Sequence, residues 1–139
     1  MILDHIAIAV RSLDLAMKTY VSGMGFELEQ VVTLENQKVR VAVLPCGTSR
    51  LELMEPTDAS SPIQRFLDRR GEGLHHVCFI VDNLEAKLQK LQQAGMERVG
   101  TVPPLGLENR KVAFLYPKSA HGVLIELVET SCPSSSAEP

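Results

Sequence analysis

The sequence contains no C-x-x-C pair, no basic stripe and no long apolar run, and each absence removes a class of protein. Its three cysteines, Cys46, Cys78 and Cys132, are widely spaced; they read as small buried or incidental thiols rather than ligands, in a chain expected to work in the reducing cytoplasm. A net charge of −3 with scattered signs offers no track for a phosphate backbone, so nucleic acid is not an expected partner. No apolar stretch is long enough to cross a bilayer and no basic-then-apolar leader opens the chain, so neither a membrane span nor a signal peptide is expected. What remains is ordinary globular material: 139 residues, 45% hydrophobic and 22% charged, one domain's worth of chain with enough length to bury a core.

The informative feature is an internal repeat. Leu74-His75-His76-Val77-Cys78-Phe79-Ile80-Val81 lies over Leu3-Asp4-His5-Ile6-Ala7-Ile8-Ala9-Val10 at a shift of 71 residues, which sets His76 on His5. Ser12-Leu13-Asp14 continues onto Asn83-Leu84-Glu85, and Gly25 onto Gly95 after one residue is dropped. At the original shift Val41-Ala42-Val43-Leu44 lies over Val112-Ala113-Phe114-Leu115; with three residues added, Leu51-Glu52-Leu53 lies over Ile125-Glu126-Leu127. One unit therefore occurs twice, as module 1 at about 1–56 and module 2 at about 73–130, within a single domain spanning 1–130.

Each unit reads as strand–helix–strand–strand–strand. Ile6, Ile8 and Val10 alternate with His5, Ala7 and Ala9 in the first strand. Ser12 caps a helix running to about Gly23, with Leu13, Ala16, Met17 and Tyr20 as its apolar stripe. Strands follow at about 26–34, 39–44 and 50–55, with a hairpin loop at Pro45–Ser49. A polar seam from Pro56 to Pro62 leads to a short helix at 63–70. The second unit repeats the plan with a strand at 74–81, a helix at about 83–94 carrying Leu84, Leu88 and Leu91 inward, and strands near 96–99, 112–115 and 122–128. Pro103–Asn109 is expected to be a long loop of the kind that often carries binding residues. The Ser/Pro-rich segment 131–139 is expected to be a disordered tail.

His5, Glu52, His76 and Glu126 all stand opposite the bulky apolar positions of their strands, which puts them on the concave sheet face that the helices leave uncovered. Singly, a His in an apolar strand is ordinarily a hydrogen-bonded structural residue, and a Glu there ordinarily faces solvent. Recurrence at matching positions changes the reading. Two carboxylates buried close together without a cation would force one to take a proton, whereas a divalent ion removes that cost and holds neutral imidazoles as well. Two N and two O ligands suit cobalt, nickel, manganese or zinc, with positions left for water or substrate. His75 points away from His76 and reads as helix-packed. Lys118 and Arg110 lie near the expected opening, where either can meet an anionic substrate, and His121, at a loop-to-strand junction, reads equally as a mouth residue or as plain surface; Lys118, Ser119 and His121 are the candidate substrate-binding residues. Glu55 and Glu129 read as solvated strand-end charges.

At these residues the chain resembles the vicinal oxygen chelate superfamily, in which paired βαβββ modules form a metal-binding cup, an α+β fold built on a curved mixed sheet. Within it the resemblance is to the methylmalonyl-CoA epimerases. It rests on the first-strand motif, on Glu52-Leu53-Met54-Glu55-Pro56, on Gly71-Glu72-Gly73-Leu74-His75-His76, and on Phe114-Leu115-Tyr116-Pro117-Lys118-Ser119 running into His121-Gly122-Val123-Leu124-Ile125-Glu126-Leu127. The double His and the last run are the specific elements. The resemblance implies an isomerase that interconverts the C2 epimers of an acyl-CoA through a metal-stabilised enolate, with Glu126 as a ligand and first candidate base, Glu52 as the other acid/base, and a homodimeric assembly. Three departures stand out: Glu52 occupies a position where some members carry Gln, no Glu stands in Val39-Arg40-Val41, and the loop before the penultimate strand reads Gly106-Leu107-Glu108-Asn109-Arg110. The rival activity is a glyoxalase I-type lyase, which uses two His and two Glu. A non-catalytic ligand-binding module is the alternative from another class, and a ring-cleaving dioxygenase ranks last.

Overall fold

The computed structural model describes residues 1–100 and 110–130. The expected loop at 103–109 and tail at 131–139 lie outside the described residues. The chain divides into two compact units, one formed by Asp4–His76 and the other by Val77–Pro139 with Met1–Leu3.

In the first unit, strand β1 (Ile2–Ala9) enters helix α1 (Leu13–Met17), followed by β2 (Gln30–Leu34), β3 (Val39–Cys46), β4 (Ser49–Pro56) and α2 (Pro62–Arg70). The strand order is β2-β3-β4-β1. β4 runs antiparallel to β3 and parallel to β1, with His5 opposite Arg50 and Ala7 opposite Glu52. Ser12 caps α1 as expected, its side chain accepting from Leu15 N–H. The helix does not stay α: Lys18–Gly23 is a π-turn, closed by Met24 N–H donating to Thr19 O at 2.9 Å. β2 begins at Gln30 rather than at Phe26, because Phe26 turns back to Tyr20, its N–H donating to Tyr20 O, and packs into the core. The expected five-residue hairpin loop tightens to Gly47-Thr48, with Gly47 at φ 64°, in the left-handed region that suits glycine. Asp58 turns the chain toward α2; the Ser60 hydroxyl and N–H hold its carboxyl below the ordinary value. Ser61, fully buried, caps α2 by accepting from Ile63 N–H.

The second unit contains β5 (Gly73–Val81, from Val77 on), α3 (Leu84–Gln93), β6 (Val112–Leu115) and β7 (Ile125–Glu129), in the order β5-β7-β6. β5 and β7 are parallel, with Cys78 opposite Glu126; β6 and β7 are antiparallel, with Phe114 opposite Glu126. Asn83 caps α3 through Ala86 N–H. The strand expected near 96–99 is reduced to one bridge, Arg98 to Leu115. Gly95 and Gly100, at φ 91° and 72°, turn the chain on both sides and leave too few extended residues for a ladder. The last strand starts at Ile125, not Gly122, because Pro117–Ala120 forms a 3-10 turn and His121 is left-handed at φ 56°, ψ 39°. Among the described residues no helix is long and apolar enough to cross a membrane.

The repeat seen in the sequence is a repeat of cores. In the first unit Val10, Leu13, Ala42, Leu44 and Leu53 pack with Ile8, Met17, Tyr20 and Leu51. In the second, Val81, Leu84, Ala113, Leu115 and Leu127 pack with Phe79, Leu88, Leu91 and Ile125. These are the same positions, copy for copy, and in both the bulky strand face meets the helix. Truncating a wholly buried leucine of this kind costs about 2–5 kcal/mol. Strand parity then fixes the other face: Glu52 lies between Leu51 and Leu53, and Glu126 between Ile125 and Leu127, each turned away from its helix-packed core.

Candidate functional site

β1 brings His5 and β5 brings His76 into one place in the first unit. Their Nε2 atoms are 3.1 Å apart, the rings meet edge to face with centroids at 5.2 Å, and both residues are 5% exposed. Two nitrogens bound to one ion at about 2.0–2.1 Å stand about 3.0 Å apart at right-angled positions and about 3.4 Å apart in a tetrahedron. The observed separation falls between these values, so the imidazole pair fits a shared divalent ion.

The remaining ring nitrogens are held differently. His5 Nδ1 is 2.7 Å from Asp4 Oδ2, and that same oxygen accepts from Arg50 Nη2 at 2.6 Å. Glu52, 5% exposed, reaches the same cluster: its Oε2 is 3.3 Å from His5 Nδ1 and 3.4 Å from Arg50 Nη2. Glu52 therefore comes to His5, but this oxygen lies on the side of the ring remote from His76. His76 Nδ1 is 2.8 Å from His75 Nδ1, and His75 packs edge to face on Phe66 of α2, centroids 4.8 Å apart. His75 is thus helix-packed, as expected, yet it also touches His76.

In the second unit Glu126, the second residue of β7, is 7% exposed. Its register repeats that of Glu52: each Glu faces the residue two beyond its module's histidine on the parallel strand, and each faces the equivalent position on the antiparallel one. Lys118, Ser119 and His121 lie in and just after the 3-10 turn. Lys118 pairs with Glu97 at 3.1 Å, both side chains largely exposed, and Ser119 Oγ accepts from Glu97 N–H at 3.0 Å. His121 is exposed. Arg110 Nε donates to Glu129 O.

Two expectations change. Glu55 and Glu129 are not solvated strand-end charges. Glu55 Oε2 accepts from Leu13 N–H and Glu129 Oε2 from Leu84 N–H, both at 3.0 Å, so each closes the first turn of its own unit's helix. Asp4 and Arg50 were not singled out as functional. The available signal was weak: a carboxylate beside the repeated His, and an Arg two residues before Glu52 on the same strand face.

A duplicated βαβββ plan with one buried His and one buried Glu per copy defines a class. The chain belongs to the glyoxalase/bleomycin resistance protein/dioxygenase superfamily, whose family model it matches over residues 4–114, and its fold is that of the vicinal oxygen chelate proteins. It is 40% identical over 127 residues, 91% of each chain, to the uncharacterized protein YqjC of Bacillus subtilis. Among solved structures it is similar to methylmalonyl-CoA epimerase from Mycobacterium tuberculosis, with 38% identity and a TM-score of 0.87 over 98% of this chain and 91% of that one. It is also similar to the Streptomyces coelicolor methylmalonyl-CoA epimerase solved with 2-nitronate-propionyl-CoA, with 34% identity and a TM-score of 0.88 over 94% and 98% of the two chains.

Proposed function

We propose that this protein is a metal-dependent epimerase that interconverts the C2 epimers of methylmalonyl-CoA. The observation that carries the reading is the pair of buried imidazoles whose Nε2 atoms lie 3.1 Å apart, in a chain similar to epimerases over more than nine-tenths of its length. His5, His76, Glu52 and Glu126 are the proposed ligands, the last supported by its repeat of the Glu52 register. A divalent ion held by these residues, whether cobalt, nickel, manganese or zinc, would supply the Lewis-acid chemistry that makes the C2 proton acidic enough to move.

The residues of the chain do the proton work. Glu126 is the proposed base on one side of C2 and Glu52 the proposed acid on the other. Both side chains are buried, at 7% and 5% exposure, which keeps bulk water from the transferred proton. Lys118, Ser119 and His121 are the proposed contacts to the acyl-CoA. The Lys118–Glu97 pair is exposed, so exchanging it for an anionic substrate group costs little. A homodimer working in the cytoplasm completes the proposal.

The test is exchange of the C2 proton of methylmalonyl-CoA with deuterium by metal-loaded protein. Glu126→Gln is expected to lower the exchange rate by about 100-fold or more; a variant that exchanges at the wild-type rate removes Glu126 from the mechanism. Turnover of the hemithioacetal of methylglyoxal and glutathione, with no deuterium incorporated into methylmalonyl-CoA, would establish the glyoxalase I-type lyase instead.

A further inference from the structure

The short segment between Gly95 and Gly100 buries a charge without answering it. Arg98 bridges its backbone to Leu115 of β6, and its side chain lies on the helix side of that strand, beside Leu88 and Leu91 of α3. Its Nε and Nη2 are buried there, and neither has a hydrogen-bond partner among the described residues. A guanidinium does not give up its proton, so donors withdrawn from water in this way call for an acceptor. The adjacent carboxylate is engaged elsewhere: Glu97 is largely exposed and pairs with Lys118 at 3.1 Å.

Arg98 lines a cavity of about 180 Å³ whose apolar wall is Leu88, Leu91, Met96 and Leu115; Gln92 and Glu97 complete the lining and are exposed. Phe114 pairs with Glu126, and Leu115, the next residue, points to the opposite face of β6. The cavity is therefore on the other side of the sheet from Glu126 and separate from that carboxylate. Its two halves specify a ligand. Nε–H and Nη2–H project side by side from one edge of the guanidinium, the spacing that receives both oxygens of a carboxylate. The leucine and methionine wall beyond favours an alkyl chain and penalises a second charge. Since a cavity of about 150 Å³ holds benzene, this one has room for an acid of about six or seven non-hydrogen atoms. We propose that the cavity is a binding site for a short aliphatic monocarboxylate, its carboxylate paired with Arg98 and its chain against the leucines and Met96.

Calorimetric titration of the full-length, metal-free protein with acetate, propanoate, butanoate, pentanoate and octanoate, at constant ionic strength in chloride, tests this. Affinity is expected to rise about fourfold with each methylene as far as pentanoate, and octanoate is expected to bind no tighter. 1-Butanol and butylamine, which keep the chain but lack the carboxylate, are expected not to bind. No binding of butanoate or pentanoate at about 20 mM overturns the proposal. Phosphate that binds as tightly as pentanoate also overturns it, because the site would then select bare anions.

Variants locate the binding. Arg98→Met is expected to weaken pentanoate by about 10–100-fold, and Arg98→Lys, which keeps the charge but not the paired donors, to recover only part of that loss. Met96→Trp narrows the cavity and leaves Arg98 in place; it is expected to weaken pentanoate more than acetate. Pentanoate affinity equal to wild type in cooperatively melting Arg98→Met, or in Met96→Trp, places the acid elsewhere and overturns the proposal. Such a failure leaves the epimerase reading standing, since no step of it uses Arg98.

Discussion

Arg50 pairs with two buried acids beside His5. Its Nη2 serves Asp4 at 2.6 Å and Glu52 at 3.4 Å, and both acids are buried. Removing a cation from beside buried carboxylates leaves charge that the interior cannot solvate. Arg50→Met is accordingly expected to lower stability by about 3 kcal/mol, read from urea denaturation of the metal-free protein. Saturating Zn²⁺ is expected to return part of that loss if Glu52 is a ligand. A midpoint unchanged from wild type would show that Arg50 adds nothing to the fold. The four ligand-type residues were visible in the sequence because duplication printed them twice, whereas Asp4 and Arg50 were not. Their roles depend on the β1–β4 register, which sets His5 opposite Arg50, and a parallel pairing between strands so far apart in the chain leaves no local mark.

Among the elements, the duplicated Glu caps tie helix to sheet. Glu55 is next to last in β4 and Glu129 is last in β7, yet each carboxylate satisfies the first free N–H of its helix and lies at the favourable end of the helix dipole. Glu55→Ala and Glu129→Ala are each expected to cost about 1 kcal/mol, measured as a lowered chemical denaturation midpoint, with metal affinity unchanged. Loss of metal binding in either variant would mean that the cap also holds the candidate site in place. Helices and strands were legible from apolar period and, at α1, from the Ser12 cap; Ser61 and Asn83 cap α2 and α3 in the same way. Their ends were less so. The π-turn after Met17, the single bridge at Arg98 and the late start of β7 are each produced by a backbone hydrogen bond or a turn that composition does not encode.

For the molecule as a whole, a metal that binds only the folded chain must raise its stability. Zinc at about 100 times its dissociation constant is expected to add about 2.7 kcal/mol, seen as a raised melting temperature that EDTA reverses. The doubly substituted His5→Ala, His76→Ala protein should melt at one temperature with and without zinc. A zinc-dependent rise that survives in that variant would place the ion on other residues and detach the epimerase reading from the histidine pair.

Sequence alone determined the duplication, and with it the βαβββ plan, the two matching cores and the repeated His and Glu, because apolar period and strand parity are properties of residue order. Only the tertiary structure decided which nitrogen of each histidine faces which neighbour. That choice turns on hydrogen-bond distances of tenths of an ångström, set by how β1 packs on β4 and how α2 seats His75 against Phe66, and residue order does not carry distances.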